Sequence, residues 1–485
     1  MTRVLSRVGI GVDVGTQGVR VIAVDESGRI LGRAQERWPL QVDESDFREQ
    51  NPTDWWSAIG TCVPRVASTI PHGHPVTMTV AATSGTLVLA DHLLKPVRPA
   101  IMWNDKRARV ESDELNAARA DGSLRGTTAF RPTFTLSKAL WVMRNEPQAF
   151  SRAAHILSAG DWILSLMHGR QPVTDYTNAL KTGVNLEKLQ WPTELEVLGI
   201  NLAHLPTIVA PGQLIGRILP AVAEAWSLPA KTQIVAGMTD ASAAQVASGA
   251  VDTGEWVSTI GTGLSIKGNS PVRLEDASGA VYSHRHWSCG WVPSATSHSG
   301  ADAIGIRFAG EDLGSLTRTA ATLSLSSVLV LPLTTVGEFF PFYAPKARGF
   351  ELGSSTCSGD LFRGYLEGIA FVERLAMEEM HTLGLSVTGP QVTMGGGAQN
   401  TVWMGIRASV LQRSIVRPVE TSSAFGAAII ALAASPQEIS VTAQVLVKYN
   451  FEALPRVEAA TAYHDRYGEF LDELSRRGYL NDAPL

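Results

Sequence analysis

The sequence predicts a mixed α/β protein built as two domains, and three observations carry that expectation. Residues 11–32, GVDVGTQGVRVIAVDESGRILG, alternate apolar with small or polar residues and turn at Gly15–Gly18 and again at Asp25–Gly28. That pattern is strand, tight hairpin, strand, hairpin, strand. Residues 254–268, GEWVSTIGTGLSIKG, repeat the same logic around a second small-residue turn bearing a threonine. Finally, 485 residues exceed what one hydrophobic core ordinarily organises. One strand-rich hairpin unit per domain, with a boundary near residue 250 (domains 1–250 and 251–485), accounts for all three as a weak internal duplication.

The elements between these hairpins follow in order. TMTVAATSGTLVLAD (77–91) is strand, turn, strand, and KPVRPAIMWNDKRARVESDEL runs from a strand into a charged helix. TFTLSKALWVMRNEP and AGDWILSLMHGR space their apolar residues as helices, with Pro and Gly at the ends. After a Pro/Gly-marked connection, TQIVAGMTD is a strand that ends on Asp240. QVTMGGGAQNTVWMGIRASVL reads as strand, triple-glycine turn and helix, and SAFGAAIIALAAS as an Ala-rich helix that must be buried. SHRHWSCG reads as a strand with exposed histidines, His284 and His286, and the C-terminal YGEFLDELSRRG as a solvated helix face.

Composition narrows the function classes. Hydrophobic residues make up 45% and charged residues 18%, an ordinary globular balance. A net charge of −5 without a long basic run points to no nucleic-acid and no membrane partner. Three widely spaced cysteines exclude a disulfide framework and fit a reducing compartment. The first residues lack a signal-peptide pattern, and the longest apolar run falls short of the roughly 18 residues of a span, so a cytoplasmic location is expected.

The first hairpin carries chemistry. Gly15 and Gly18 allow close backbone approach and aim consecutive N–H groups into the bend, an arrangement that binds phosphate. Thr16 and Gln17 add side-chain donors there. Asp13 would lie beside that anion, where a carboxylate is repelled unless Mg²⁺ intervenes. The turn at Gly261 and Thr262 supplies a second nest, and GGGAQN, containing Gly396, Gly397 and Asn400, is expected to open a helix whose N-terminus favours phosphate. Asp240 enters a helix of small residues, either as its N-cap or as a general base within reach of a substrate hydroxyl. No GxxxxGK[ST] motif occurs, which excludes a P-loop, and GIGVDVG lacks the GxGxxG spacing of a dinucleotide fold.

Taken in order along nearly the whole chain, these motifs resemble the FGGY carbohydrate kinases of the actin-, chaperone- and hexokinase-like ATPase superfamily. GVDVGTQGVR is similar to the first phosphate motif and QNPTDWW to an early helix start. PAIMWNDKR resembles a Trp-x-Asp-x-Arg segment, and Lys138 with Trp141 the first family signature. GMTDASAAQVASGA resembles the catalytic-aspartate motif, STIGTG the second phosphate motif and FRGYLEGIAFVERL the second signature. GGGAQNTVWMGIRASVL with SAFGAAIIA is similar to the adenosine-binding region.

The resemblance implies two RNase-H-like domains flanking a cleft, the N-terminal one mainly binding sugar and the C-terminal one mainly binding ATP. It implies ATP and Mg²⁺ as cofactors and transfer of the γ-phosphoryl group to a sugar hydroxyl. Asp240 matches the catalytic base. Asp13 matches the carboxylate near Mg²⁺ and the transferred group, and touches sugar as well. Gly15, Thr16 and Gln17 match the γ-phosphate hairpin, Gly261 and Thr262 the second hairpin, and Gly396, Gly397, Asn400 and Trp403 the nucleotide lining. A homodimer is kept open.

TSGT at 83–86 stands where xylulokinases carry Met-His-Gly. Together with GDWILSLMHG and DYTNALKTGV it looks most like D-ribulose kinases, which implies that Ser84 contacts sugar; Trp103 matches an aromatic wall of the sugar pocket. Gln17 replaces the usual serine of that type, a longer side chain at the sugar–phosphate interval. The expectation is therefore a pentulose kinase acting on D-ribulose or D-xylulose. A kinase for a pentitol or glycerol, an actin- or chaperone-like ATPase and a catalytically degenerate sugar sensor stay open beside it.

Overall fold

In the computed structural model, described over residues 6–39, 47–275 and 279–480, the chain forms two compact units. The first comprises residues 1–247 with 287–289 and 420–447; the second comprises 248–286, 290–419 and 448–485. The chain thus returns to its first unit late, through the Ala-rich helix Ser423–Leu432.

The first unit is built on a seven-stranded sheet. Val8–Gly15 pairs antiparallel with Gly18–Asp25, which pairs antiparallel with Ile30–Arg37, the two hairpins expected from the alternation. On its other side Val8–Gly15 lies parallel to Val76–Ala82. Every residue of Val8–Val14 is buried, so the strand sits mid-sheet with both faces covered. One cover is the helix Ser423–Leu432, buried from Ala424 to its end. Small residues make that contact close: a Cβ at Gly11 would lie 2.0 Å from the Ala424 carbonyl oxygen, and one at Gly9 2.4 Å from that of Ala428. The same helix presents Gly426 to Ala243, where a Cβ would come within 1.8 Å of the carbonyl oxygen. Glycine is thus required by backbone proximity on both partners.

The second unit repeats the arrangement. Trp256–Ile260 pairs antiparallel with Leu264–Gly268, which pairs antiparallel with Trp291–Ser297. Trp256–Ile260 also lies parallel to Gln391–Met394, just as Val8–Gly15 lies parallel to Val76–Ala82. Its core gathers around the 25-residue helix Ser358–Thr382, whose length brings nineteen residues into burial.

Several local expectations are met. Asn51 caps the helix Pro52–Ala67 by accepting from the Thr53 N–H at 3.2 Å, with Pro at its first position. The helix Thr135–Asn145 stops just before Pro147, and Ala159–His168 is closed by Gly169 in the left-handed conformation, so Pro and Gly mark their ends as expected. Three expectations need correction. The triple glycine does not open the following helix: a 3₁₀ turn, Gly396–Gln399, intervenes, and Asn400 caps a helix that begins at Thr401. His284, in the strand Tyr282–Arg285, and His286, just after it, are both buried, each 5% exposed. The C-terminal helix Ala460–Arg476 is only half solvated, since Tyr463, Tyr467, Phe470 and Leu474 pack inward. No helix of the described residues is long and apolar enough to cross a membrane.

Candidate active site

The first unit gathers most of the predicted site. Asp13 stands two residues before the first hairpin tip and is 4% exposed. Arg20, opposite it in the strand register, donates to Oδ2 at 3.2 Å. That contact does not win. Burial and the nearby charge of Asp240 push the Asp13 carboxyl up to about 6, whereas Arg20 is half exposed and its influence is screened by water.

Asp240 is the first residue of the helix Asp240–Ser248. Its Oδ1 accepts from the next amide, Ala241, at 2.7 Å. The capping contact belongs to Thr239, whose Oγ1 accepts from the Ser242 N–H at 3.4 Å and meets Ser242 Oγ at 2.9 Å. Thr239 thus makes an N-cap contact at the residue before Asp240.

The hairpin tip is held by indoles. Thr16 Oγ1 accepts from Trp103 Nε1 at 2.8 Å, and its carbonyl accepts from Trp38 Nε1 and Gln50 Nε2, both at 2.9 Å. Gly18 has φ +154°, and a Cβ there would meet the Glu36 carbonyl oxygen at 2.3 Å, so only glycine closes this turn. Gln17 is exposed at the tip, and a hollow of about 400 Å³ is lined by residues 15–20 with Glu36, Arg37 and Trp38. Trp103 and Thr16, predicted separately for sugar and phosphate, are thus directly bonded.

Ser84 occupies the turn 83–86, closed by a 2.7 Å contact between the Thr83 and Thr86 hydroxyls. Gly85 takes φ +92°. Ser84 Oγ is buried without a hydrogen-bond partner among the described residues, an orphaned polar atom that calls for a ligand hydroxyl. Two lysines hold this turn. Lys138, fully buried, donates to the Gly85 carbonyl at 2.6 Å and to the Met102 carbonyl at 2.9 Å, joining the Ser84 turn to the residue before Trp103. Lys181 donates to the Ser84 carbonyl at 3.0 Å. Burial, reinforced by the Lys181 charge, pulls the Lys138 pKa well down. The sequence placed Lys138 in a signature without disclosing this clamp. Asp105 is fully engaged by Arg107, at 2.7 Å, and by the Arg48 amide, at 2.6 Å.

In the second unit, Gly261 and Thr262 are exposed at the second hairpin, and a Cβ on Gly261 or Gly396 would meet nothing within 4 Å. Gly395, at φ +85°, brings its backbone against the Ile260 carbonyl, so the two predicted nucleotide segments touch. Asn400 accepts from the Trp403 N–H at 3.0 Å and donates to Thr317 at 3.1 Å. Trp403 is 2% exposed, donates to the Leu366 carbonyl at 2.9 Å and lies under Gly397. It is a core side chain that supports the glycine backbone, not an open wall. Among the described residues, no group of three or more His, Cys, Asp or Glu is arranged to hold a metal ion.

The chain matches models of the FGGY family of carbohydrate kinases, the N-terminal domain over residues 8–247 and the C-terminal domain over 288–435. It is 28% identical to a xylulose kinase of Escherichia coli (strain K12), over 98% of this chain and 99% of that one. It is 25% identical to a gluconokinase of Bacillus subtilis (strain 168), over 88% and 87% respectively. A crystal structure of a kinase from Brucella ovis, titled a xyloylose kinase, superposes with a TM-score of 0.88 at 25% identity, over 98% of this chain and 100% of that one. With both domain models matched in order on a two-unit ribonuclease H-like ATPase fold, the chain belongs to the FGGY family of carbohydrate kinases.

Proposed function

We propose that this kinase phosphorylates a pentulose, D-ribulose or D-xylulose, with Asp240 as general base and Asp13 as the carboxylate beside Mg²⁺. The observation that carries the reading is the conjunction of two acidic residues, whose charges disfavour each other, with an orphaned hydroxyl at Ser84. Asp240 accepts the proton of the attacking sugar hydroxyl, and Ser84 and Trp103 orient the sugar. The backbone of the hairpin tip at Gly15, Thr16 and Gln17 meets the transferred phosphoryl group. Gly261, Thr262 and Gly396 offer exposed backbone to the rest of the nucleotide, with the buried Gly397 supporting them and Asn400 and Trp403 behind.

Asp13 would hold Mg²⁺. A buried carboxylate whose ionisation is opposed by its surroundings is the group a divalent cation relieves, and Mg²⁺ takes one or two protein carboxylates together with phosphates and water. Bound there with ATP, the ion would neutralise charge on the phosphates. Phosphoryl transfer requires positioning and charge stabilisation above all, which this donor set supplies.

Relatives named as xylulose kinase and as gluconokinase both resemble the chain, so a direct substrate assay tests the reading. ADP release by the purified chain would be followed with D-ribulose, D-xylulose, gluconate, pentitols and glycerol. The highest kcat/KM on a pentulose is expected. Preference for gluconate or a polyol overturns the substrate, and sugar-independent hydrolysis stimulated by a polypeptide overturns the acceptor altogether.

A further inference from the structure

The first residues of the motif DYTNALKTGV, Asp175 to Asn178, lie outside the roles assigned above, yet Thr177 touches the residue immediately before Asp240. We infer that Thr177, oriented by Asp175, is a positioning residue for Asp240, an inference that rests on the reading of Asp240 as the base.

The geometry is a directed chain of hydrogen bonds. Asp175 Oδ1 accepts from the Thr177 amide at 2.8 Å, the Thr177 hydroxyl at 2.5 Å and the Asn178 amide at 3.2 Å. Its Oδ2 accepts from Asn178 Nδ2 at 2.6 Å. With its proton committed to the carboxylate, the Thr177 hydroxyl has only lone pairs left to offer. They accept the Thr239 N–H at 3.0 Å. On its own side chain Thr239 meets Ser242, which sets the first turn of the Asp240 helix. In the sheet, Met238–Thr239 is registered against Ala81–Ala82, leading directly to the Ser84 turn. Asp175, Thr177, Thr239 and Ser242 are all 5% exposed or less, so water cannot replace a lost bond.

A general base must be placed to a fraction of an ångström, and a misplacement of about 1 Å costs on the order of 10²-fold in rate. Thr177 fixes the peptide from which Asp240 projects. Substituting it lets the start of that helix drift without touching substrate, so the damage falls on the chemical step and not on binding.

The test uses the full-length enzyme and four variants. Thr177→Val keeps the shape but removes the hydroxyl, leaving the Thr239 N–H and Asp175 without their partner. We expect kcat to fall by ~10–10² with KM for sugar and for ATP within about twofold of wild type, and Thr177→Ser to restore kcat to within about threefold. Thr177→Ala gives the same readout should the valine variant not fold. Wild-type kcat in a folded Thr177→Val or Thr177→Ala, a loss that Thr177→Ser fails to restore, or a loss matched by a rise in sugar KM overturns the inference. So does failure of both substitutions to fold, which would make the hydroxyl a requirement of the fold alone. Asp240→Asn, assayed in parallel, separates the two readings. If it retains turnover, the base assignment falls. If it is inactive while Thr177→Val turns over normally, only the positioning role falls.

Discussion

Asp13 and Asp240 are coupled through space: the charge of Asp240, added to burial, drives the Asp13 carboxyl to about 6 even though Arg20 donates to it at 3.2 Å. Two acidic groups from opposite ends of the first 240 residues are brought together because Met238–Thr239 extends the sheet beside Val76–Ala82, itself parallel to the Asp13 strand.

The base assignment predicts that Asp240→Asn binds ATP with near-normal affinity but loses sugar phosphorylation by about 10²–10⁴-fold. Calorimetric titration with ATP and single-turnover assays check both halves. Turnover close to wild type would dismiss the assignment.

The raised Asp13 pKa predicts an acid limb near pH 6 in kcat/KM, which reports the free enzyme. Arg20 lowers that pKa, so Arg20→Ala should move the limb to higher pH, by less than about one unit because Arg20 is half exposed. A pH–rate profile of both proteins decides; a shift to lower pH would contradict the electrostatic balance.

Asp161 gives a separate pH dependence, in stability. It is 3% exposed, and burial followed by the Asp175 charge pushes it from 3.8 to about 7. The folded chain therefore binds this proton more tightly than the unfolded chain. The resulting stabilisation is complete below 3.8 and is lost as pH rises through about 7. Relative to Asp161→Asn, the wild type should gain on the order of 2 kcal/mol between about pH 8 and about pH 5. Chemical denaturation at both pH values measures it, and a constant difference would refute it.

Gly11→Ala should destabilise the first unit by about 1–3 kcal/mol, because its methyl would collide with the Ala424 backbone. Urea unfolding gives the value. The control is Gly122→Ser, where a Cβ meets nothing within 4 Å although φ is +90°, so its cost comes from backbone strain alone.

Lys138→Met should raise sugar KM by an order of tenfold or more while leaving ATP KM nearly unchanged. It removes hydrogen bonds to the Gly85 and Met102 carbonyls, worth roughly 0.5–1.5 kcal/mol each, and frees the turn that carries Ser84. Steady-state kinetics against both substrates distinguishes this from general loss of activity.

The sequence by itself determined the repeating hairpins, their glycine turns, the α/β character and the positions of Asp13 and Asp240. Those features are local: alternation, turn chemistry and capping act over a few residues and leave their mark in the order of the letters. Only the tertiary structure decided that Trp103 binds Thr16, that Trp403 is core and that Lys138 clamps the Ser84 turn. It also returned residues 420–447 to the first unit, where glycines let the Ala-rich helix approach the Asp13 strand. These are contacts between residues far apart in the chain, selected by burial and by the need to satisfy each buried polar group, and no local pattern encodes the partner.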